Sequence, residues 1–148
     1  MSRNPALYGT DALAETLLTN SKKFAVVGLG TDPEKAVYRV AQFLQKKGIR
    51  VIPIHPRGES VLGEKTFTSL TDAVGEHPDI DVVDCFVASQ RVGKVMQEAI
   101  DLKLPALWLQ LEIVDEEKAQ AAVDAGISVI MDRCPAIEWP RLKIQREL

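Results

Sequence analysis

The chain has 148 residues, of which 46% are apolar and 26% charged, and its formal net charge is −3. This length and composition are typical of one globular domain with a sizeable core, and the slight negative charge excludes a basic surface for nucleic acid or for an anionic membrane. Two cysteines are too few for a disulfide framework or a metal site. Because no apolar run approaches the roughly 20 residues that span a bilayer and no signal-peptide core begins the chain, we expect a cytoplasmic protein, or one of an organelle matrix, without membrane or nucleic-acid partners.

Short apolar runs alternate with segments of helical periodicity along the chain. The runs predict strands at residues 24–27, 50–54, 81–87, 105–111 and 127–131. The periodic segments predict helices at residues 11–18, from 32 or 33 to the glycine at 48, and at 69–74, 91–103, 116–125 and 137–146. This alternation predicts a single Rossmann-like, doubly wound α/β domain over residues 1–148, with a five-stranded, mainly parallel sheet. Residues 1–22 form its N-terminal helical segment and residues 23–141 its core.

The first strand ends in a glycine-containing junction, Gly28-Leu29-Gly30-Thr31, and a helix follows. We expect Asp32 to cap that helix, with Pro33 in its first turn. A strand–glycine–helix junction directs backbone amides and a helix dipole at one spot, which suits a phosphate group. The alternative is that the glycines only permit a tight turn and that Lys35 belongs to a solvated helix face.

The end of the second strand narrows the choice of ligand. A dinucleotide fingerprint requires a third glycine and an acidic residue that holds the ribose diol. This chain has neither, and carries His55, Pro56 and Arg57 after the second strand. Such residues favour a ribose that bears a phosphate, as in NADP or in a 3′-phosphorylated nucleotide such as coenzyme A (CoA), and disfavour NAD.

Five strings of residues, in order along the chain, together resemble one family. They are Ala25-Val26-Val27-Gly28-Leu29 with Pro33-Glu34-Lys35 and Tyr38; Val51-Ile52-Pro53-Ile54-His55-Pro56 with Leu62-Gly63-Glu64-Lys65; Asp81-Val82-Val83-Asp84-Cys85-Phe86; Leu107-Trp108-Leu109-Gln110; and Met131-Asp132-Arg133-Cys134 with Ile137-Glu138. They are similar to the stand-alone CoA-binding domain proteins (the YccU-like family), which are similar in turn to the N-terminal domain of the succinyl-CoA synthetase α subunit. The likeness runs from about residue 24 to residue 141.

The resemblance implies a domain whose cofactor is CoA or an acyl-CoA. It implies that the diphosphate lies by Gly28, Gly30 and Thr31, with Lys35 nearby. It implies that the 3′-phosphate or adenine end lies near His55, Pro56 and Arg57, and that Phe86 and Val87 line the adenine pocket. The strings add Leu29, Tyr38 and Pro53 to the cofactor-binding candidates. A protein partner or a homo-oligomer is compatible with this reading.

The chain departs from the family pattern at three positions. His55 stands where asparagine is usual, Val87 where arginine is common, and Glu112 where glycine is usual. The first two departures leave the phosphate contacts open, and the third adds a negative charge near the mouth of the cleft.

No set of residues in the sequence forms a nucleophile with its base. Asp84 lies within an apolar strand and, if buried, requires a hydrogen-bond partner. Cys134 follows Arg133 and is expected to begin the last helix, with packing as its simplest role. We therefore expect a CoA-binding protein without catalysis of its own and without a metal. The alternatives are a small NADP-binding oxidoreductase and a regulatory or interaction module.

Overall fold

The computed structural model describes residues 3–146, which fold into a parallel sheet covered by helices on both faces. The strands are β1 (Lys23–Val27), β2 (Arg50–Ile54), β3 (Val82–Cys85), β4 (Ala106–Leu109) and β5 (Ser128–Ile130). The helices are α1 (Pro5–Tyr8), α2 (Asp11–Asn20), α3 (Ala36–Lys46), α4 (Leu70–Glu76), α5 (Ser89–Asp101), α6 (Glu116–Asp124) and α7 (Pro135–Arg141).

The sheet has the strand order β2-β1-β3-β4-β5, and every pair of neighbouring strands is parallel. The chain moves from β1 outward to β2, then returns across β1 to β3 and continues in the other direction. The order therefore reverses at β1 and β3, and in open α/β sheets ligands bind beyond the carboxyl ends of the strands at such a point. The prediction of a Rossmann-like, doubly wound domain is confirmed.

Alternating side chains of the strands fill two cores, one on each face of the sheet. Helices α1, α4, α5 and α6 pack on one face, and α2, α3 and α7 on the other. The sequence of α3 shows why it packs there, because its buried residues recur every three or four positions: Val37, Val40, Ala41 and Leu44. Within the described part of the chain, no helix is both long and apolar enough to cross a membrane.

The predicted start of α3 is wrong. The helix begins at Ala36, and Asp32 does not cap it. The Asp32 side chain accepts a hydrogen bond from the Glu34 amide, and its backbone carbonyl accepts one from the Lys35 amide. These bonds close a separate turn in front of the helix, because an aspartate can satisfy nearby amides in a turn as readily as in a helix cap.

Several other boundaries differ from the prediction. The third strand ends at Cys85, so Phe86 and Val87 lie beyond it, in the crossover to α5. The last helix spans Pro135–Arg141 rather than residues 137–146. Cys134 is its N-terminal flanking residue, as expected. The four-residue α1 was not predicted.

Candidate ligand-binding cleft

The carboxyl ends of β1, β2 and β3 surround a cleft with two lobes. The polar lobe, of about 280 Å³, is lined by Gly28, Gly30, Thr31, Asp32, Lys35, His55, Arg57 and Glu59. The apolar lobe, of about 440 Å³, is lined mainly by Val27, Ile54, Pro56, Leu70, Phe86, Val87 and Val95, with polar groups from Thr68, Ser69, Arg91 and Glu98. Gly28 and His55 line both lobes, so the two lobes are adjacent.

The loop after β1 presents backbone donors to the polar lobe. Gly28 has φ +100°, a conformation that favours glycine. Its amide donates to the Ile54 carbonyl at 2.8 Å and is therefore engaged within the protein. The amides of Gly30 and Thr31, which line the lobe, donate to no acceptor among residues 3–146. The backbone amides that a ligand can use therefore belong to residues after Gly28, and Gly28 itself supplies none.

His55 has a fixed orientation between the two lobes. Its Nδ1 atom accepts a hydrogen bond from the Arg57 amide at 3.2 Å. The neutral ring therefore carries its proton on Nε2. A Cβ atom built on Gly30 would lie 3.2 Å from that Nε2, so the residue at position 30 must be small to leave the ring in place. The ring and the glycine loop define one wall of the polar lobe.

The charges of the polar lobe balance. Lys35 and Arg57 supply two cations, and Asp32 and Glu59 supply two carboxylates. Neither Lys35 nor Arg57 forms an ion pair with another side chain in the part of the chain that the structure describes. An anion in this lobe thus depends on local contacts with those cations and with the loop amides, rather than on a general positive field.

Helix α5 contributes residues to the cleft that the sequence reading missed. Arg91, Val95 and Glu98 line the apolar lobe and lie on one face of the helix. Their spacing of four and three residues is the signal that could have identified them. None of the three directly follows a strand end, which is where the sequence predicted the ligand contacts.

Most of the predicted site residues meet in the cleft. Gly28, Gly30, Thr31, Lys35, His55, Pro56, Arg57, Phe86 and Val87 line one or both lobes. Leu29, Tyr38 and Pro53 do not. Leu29 is fully buried, and Tyr38 packs against the same core beneath α3. Pro53 is buried in β2, where its carbonyl accepts a hydrogen bond from the Phe67 amide.

The buried titratable groups near the sheet lie outside the cleft. Asp84 is completely buried, and neither of its carboxyl oxygens has a hydrogen-bond partner in the described chain. The expected partner is thus missing, and burial raises the pKa of this carboxyl well above its usual range. Burial also raises the pKa of the Cys85 thiol, which makes the thiolate rare and the sulfur unreactive. Among residues 3–146, no three His, Cys, Asp or Glu side chains are grouped to hold a metal ion.

The string around Arg133 has a structural role. The Arg133 guanidinium donates to the Gly9 carbonyl and to the carboxylates of Asp11 and Glu138. Arg141 also contacts both carboxylates. These ion pairs hold the pKa of Asp11 at about 2. They join the start of α2 to α7 at the end of β5, away from the cleft.

Comparison with known proteins gives the family. The profile of the family described as "CoA binding domain" matches residues 22–140. The uncharacterized protein YneT of Bacillus subtilis is 35% identical over 118 residues, which cover 80% of this chain and 85% of that protein. A hypothetical protein from Pyrococcus horikoshii has a solved structure that superposes with a TM-score of 0.85 at 32% identity, over 97% of this chain and 99% of that one.

A larger enzyme contains a similar domain. The dinucleotide-forming acetyl-coenzyme A synthetase 1 of Candidatus Korarchaeum cryptofilum superposes with a TM-score of 0.63 at 25% identity. The match covers 78% of this chain but only 26% of the synthetase. The likeness of the five strings to CoA-binding domain proteins is confirmed, and the chain belongs to the CoA binding domain family.

Proposed function

We propose that this chain binds CoA or an acyl-CoA in the two-lobed cleft and does not transform it. One observation carries the proposal. In a member of a CoA-binding family, a polar lobe lies beside an apolar lobe of the size of a small-molecule site, and the polar lobe offers amides and two cations without partners among residues 3–146. The composition further supports a cytoplasmic location without a nucleic-acid partner, which remains a proposal.

The proposed pose follows the chemistry of the two lobes. The diphosphate lies against the free amides of the glycine loop and near Lys35, and Nε2 of His55 donates to a phosphate oxygen. The adenine base enters the apolar lobe against Phe86 and Val87, whose apolar surfaces favour a planar ring. The 3′-phosphate lies by Arg57, which is exposed at the end of β2 and can form a two-point contact with a phosphate.

Titration calorimetry with CoA and dephospho-CoA tests this pose, because the two ligands differ only in the 3′-phosphate. A charge-assisted contact contributes about 1.5–3 kcal/mol, so the wild type should bind CoA about 10–100 times more tightly than dephospho-CoA. Arg57→Ala should remove most of this difference. Arg39→Ala is the matched control, since Arg39 is an exposed cation of α3 outside both lobes. Equal affinities of the wild type for the two ligands would refute the role of Arg57.

The absence of catalysis is tested separately. Incubation with acetyl-CoA should release free thiol no faster than buffer does, as followed with a thiol reagent. Protein-dependent release would show that the chain is an enzyme.

Arg57 also makes NADP a second candidate ligand. The 2′-phosphate of NADP lies next to the end of the second strand in a dinucleotide-binding fold, which is where Arg57 stands. A thermal-shift screen of CoA, NADP and NAD separates the candidates, because a ligand raises the melting temperature according to its affinity. We expect the largest shift with CoA, and stabilisation by NADP alone would reverse the ranking.

A further inference from the structure

Helix α5 places two opposite charges along the apolar lobe. Arg91 and Glu98 are seven residues apart on the face that lines the lobe, with Val95 between them. Seven residues of helix correspond to roughly 10 Å. Arg91 belongs to the first turn of α5, and Glu98 lies almost two turns further along the helix.

Glu98 is an oriented hydrogen-bond acceptor. Its Oε2 atom accepts from the Thr71 amide at 3.0 Å and from the Thr71 hydroxyl at 2.7 Å. The other oxygen, Oε1, accepts no hydrogen bond from the residues that the structure describes. Glu98 is also the only carboxylate among the described residues that line the apolar lobe. The lobe therefore carries one acceptor whose position is set by α4.

We propose that Glu98 selects the base of the bound nucleotide. This inference rests on the proposed function, which places the base in the apolar lobe. The exocyclic amine of adenine donates to Glu98 Oε1, and the carboxylate repels a base that carries a carbonyl oxygen at the same position, such as hypoxanthine or guanine. A site built around a hydrogen bond rejects the analogue that cannot form it, because the polar group of the protein is then left unpaired.

The hypoxanthine analogue of CoA tests the proposal, since it replaces the amine at C6 by a carbonyl and otherwise adds only a proton at N1. Wild-type protein should bind CoA at least tenfold more tightly than this analogue in calorimetry. In Glu98→Gln the side-chain oxygen can still accept both bonds from Thr71, while the amide nitrogen becomes a donor toward the base. This variant should bind the analogue more tightly than CoA.

Two controls separate base selection from a structural role. Glu117→Gln removes an exposed carboxylate of α6 that lines neither lobe, and it should leave the preference for CoA unchanged. A melting temperature of Glu98→Gln close to that of the wild type shows that the contact with Thr71 is kept. If the substitution only loosened the lobe, the binding of CoA and of the analogue would weaken equally, and the preference for CoA would not invert.

Each outcome bears on one claim. Equal affinities of the wild type for CoA and the analogue overturn the inference and leave the proposed function in place. An unchanged preference in Glu98→Gln assigns base selection to other residues and also overturns it. If the wild type binds no CoA, the proposed function fails and the inference fails with it.

Discussion

The buried carboxyl of Asp84 predicts that folding stability falls as the pH rises. Asp84 pairs with Val26 and Trp108 across the middle of the sheet, is completely buried and has no hydrogen-bond partner among residues 3–146. Its pKa in the folded protein is well above the ordinary value of 3.8, because burial disfavours the charged form. At any pH between the ordinary pKa and the raised pKa, Asp84 is protonated in the folded chain and ionised in the unfolded chain. The contribution of Asp84 to folding stability is therefore complete below pH 3.8 and declines as the pH rises above that value.

The size of the effect follows from the linkage of one proton to unfolding. A difference of one bound proton changes the free energy of unfolding by about 1.36 kcal/mol per pH unit. For a chain of 148 residues, 1 kcal/mol corresponds to about 3 °C in melting temperature. Asp84→Asn removes the titration while keeping the shape of the side chain. The difference in melting temperature, variant minus wild type, should thus rise by about 4 °C per pH unit from about pH 4 up to the raised pKa of Asp84, and level off above it.

Thermal melts of both proteins from pH 4 to pH 8 measure this difference. Taking the difference cancels the groups that titrate in both proteins, such as Asp11 and Asp132, whose lowered pKa values give stability that is lost only in acid. Asp124→Asn, on the exposed surface of α6, controls for the change in net charge. A difference that does not vary with pH would refute the reasoning, because Asp84 would then ionise equally in both states.

Three substitutions test other parts of the structure. Gly28→Ala should destabilise the fold by about 1–2 kcal/mol in a denaturant titration, since φ of +100° strains any residue with a Cβ; unchanged stability would contradict this. Gly30→Ala, at ordinary φ, should leave stability nearly unchanged but weaken CoA binding several-fold in calorimetry, because its Cβ presses on His55 Nε2; equal affinity would show that the ring moves freely. Glu138→Gln should lower the free energy of unfolding by about 2 kcal/mol, since the buried carboxylate accepts hydrogen bonds from Arg133 and from the partly exposed Arg141. The melting temperature should fall by roughly 6 °C, and a change within about 1 °C would show that water replaces the carboxylate contacts.

The fold was predictable because the sheet depends on local patterns. Every strand consists mostly of apolar residues, and an amphipathic segment follows each of the first four, which leaves few topologies other than a doubly wound sheet. The start of α3 was not predictable in the same way. Asp32 and Pro33 are common both in turns and at helix starts, and only the geometry of the chain between β1 and α3 decides between the two.

The site was predictable only where the backbone topology fixes it. Residues directly after β1, β2 and β3 must meet at one edge of the sheet, and so Gly30, His55 and Phe86 lie together. Arg91 and Glu98 enter the cleft because α5 lies alongside α4. That packing depends on the whole core, and neither residue follows a strand end. Their contribution could be seen only once the helices were in place.

The five family strings support the ligand hypothesis unequally. Residues of the first three line the cleft, among them Gly28, His55 and Phe86. The last two strings contact each other outside the cleft. Trp108 Nε1 donates to the Arg133 carbonyl at 2.9 Å, and the Arg133 side chain joins α2 to α7. A residue that serves only this junction changes stability and leaves ligand preference alone. The comparison of CoA with dephospho-CoA, and of adenine with hypoxanthine, therefore tests function in a way that substitution of residues in the last two strings does not.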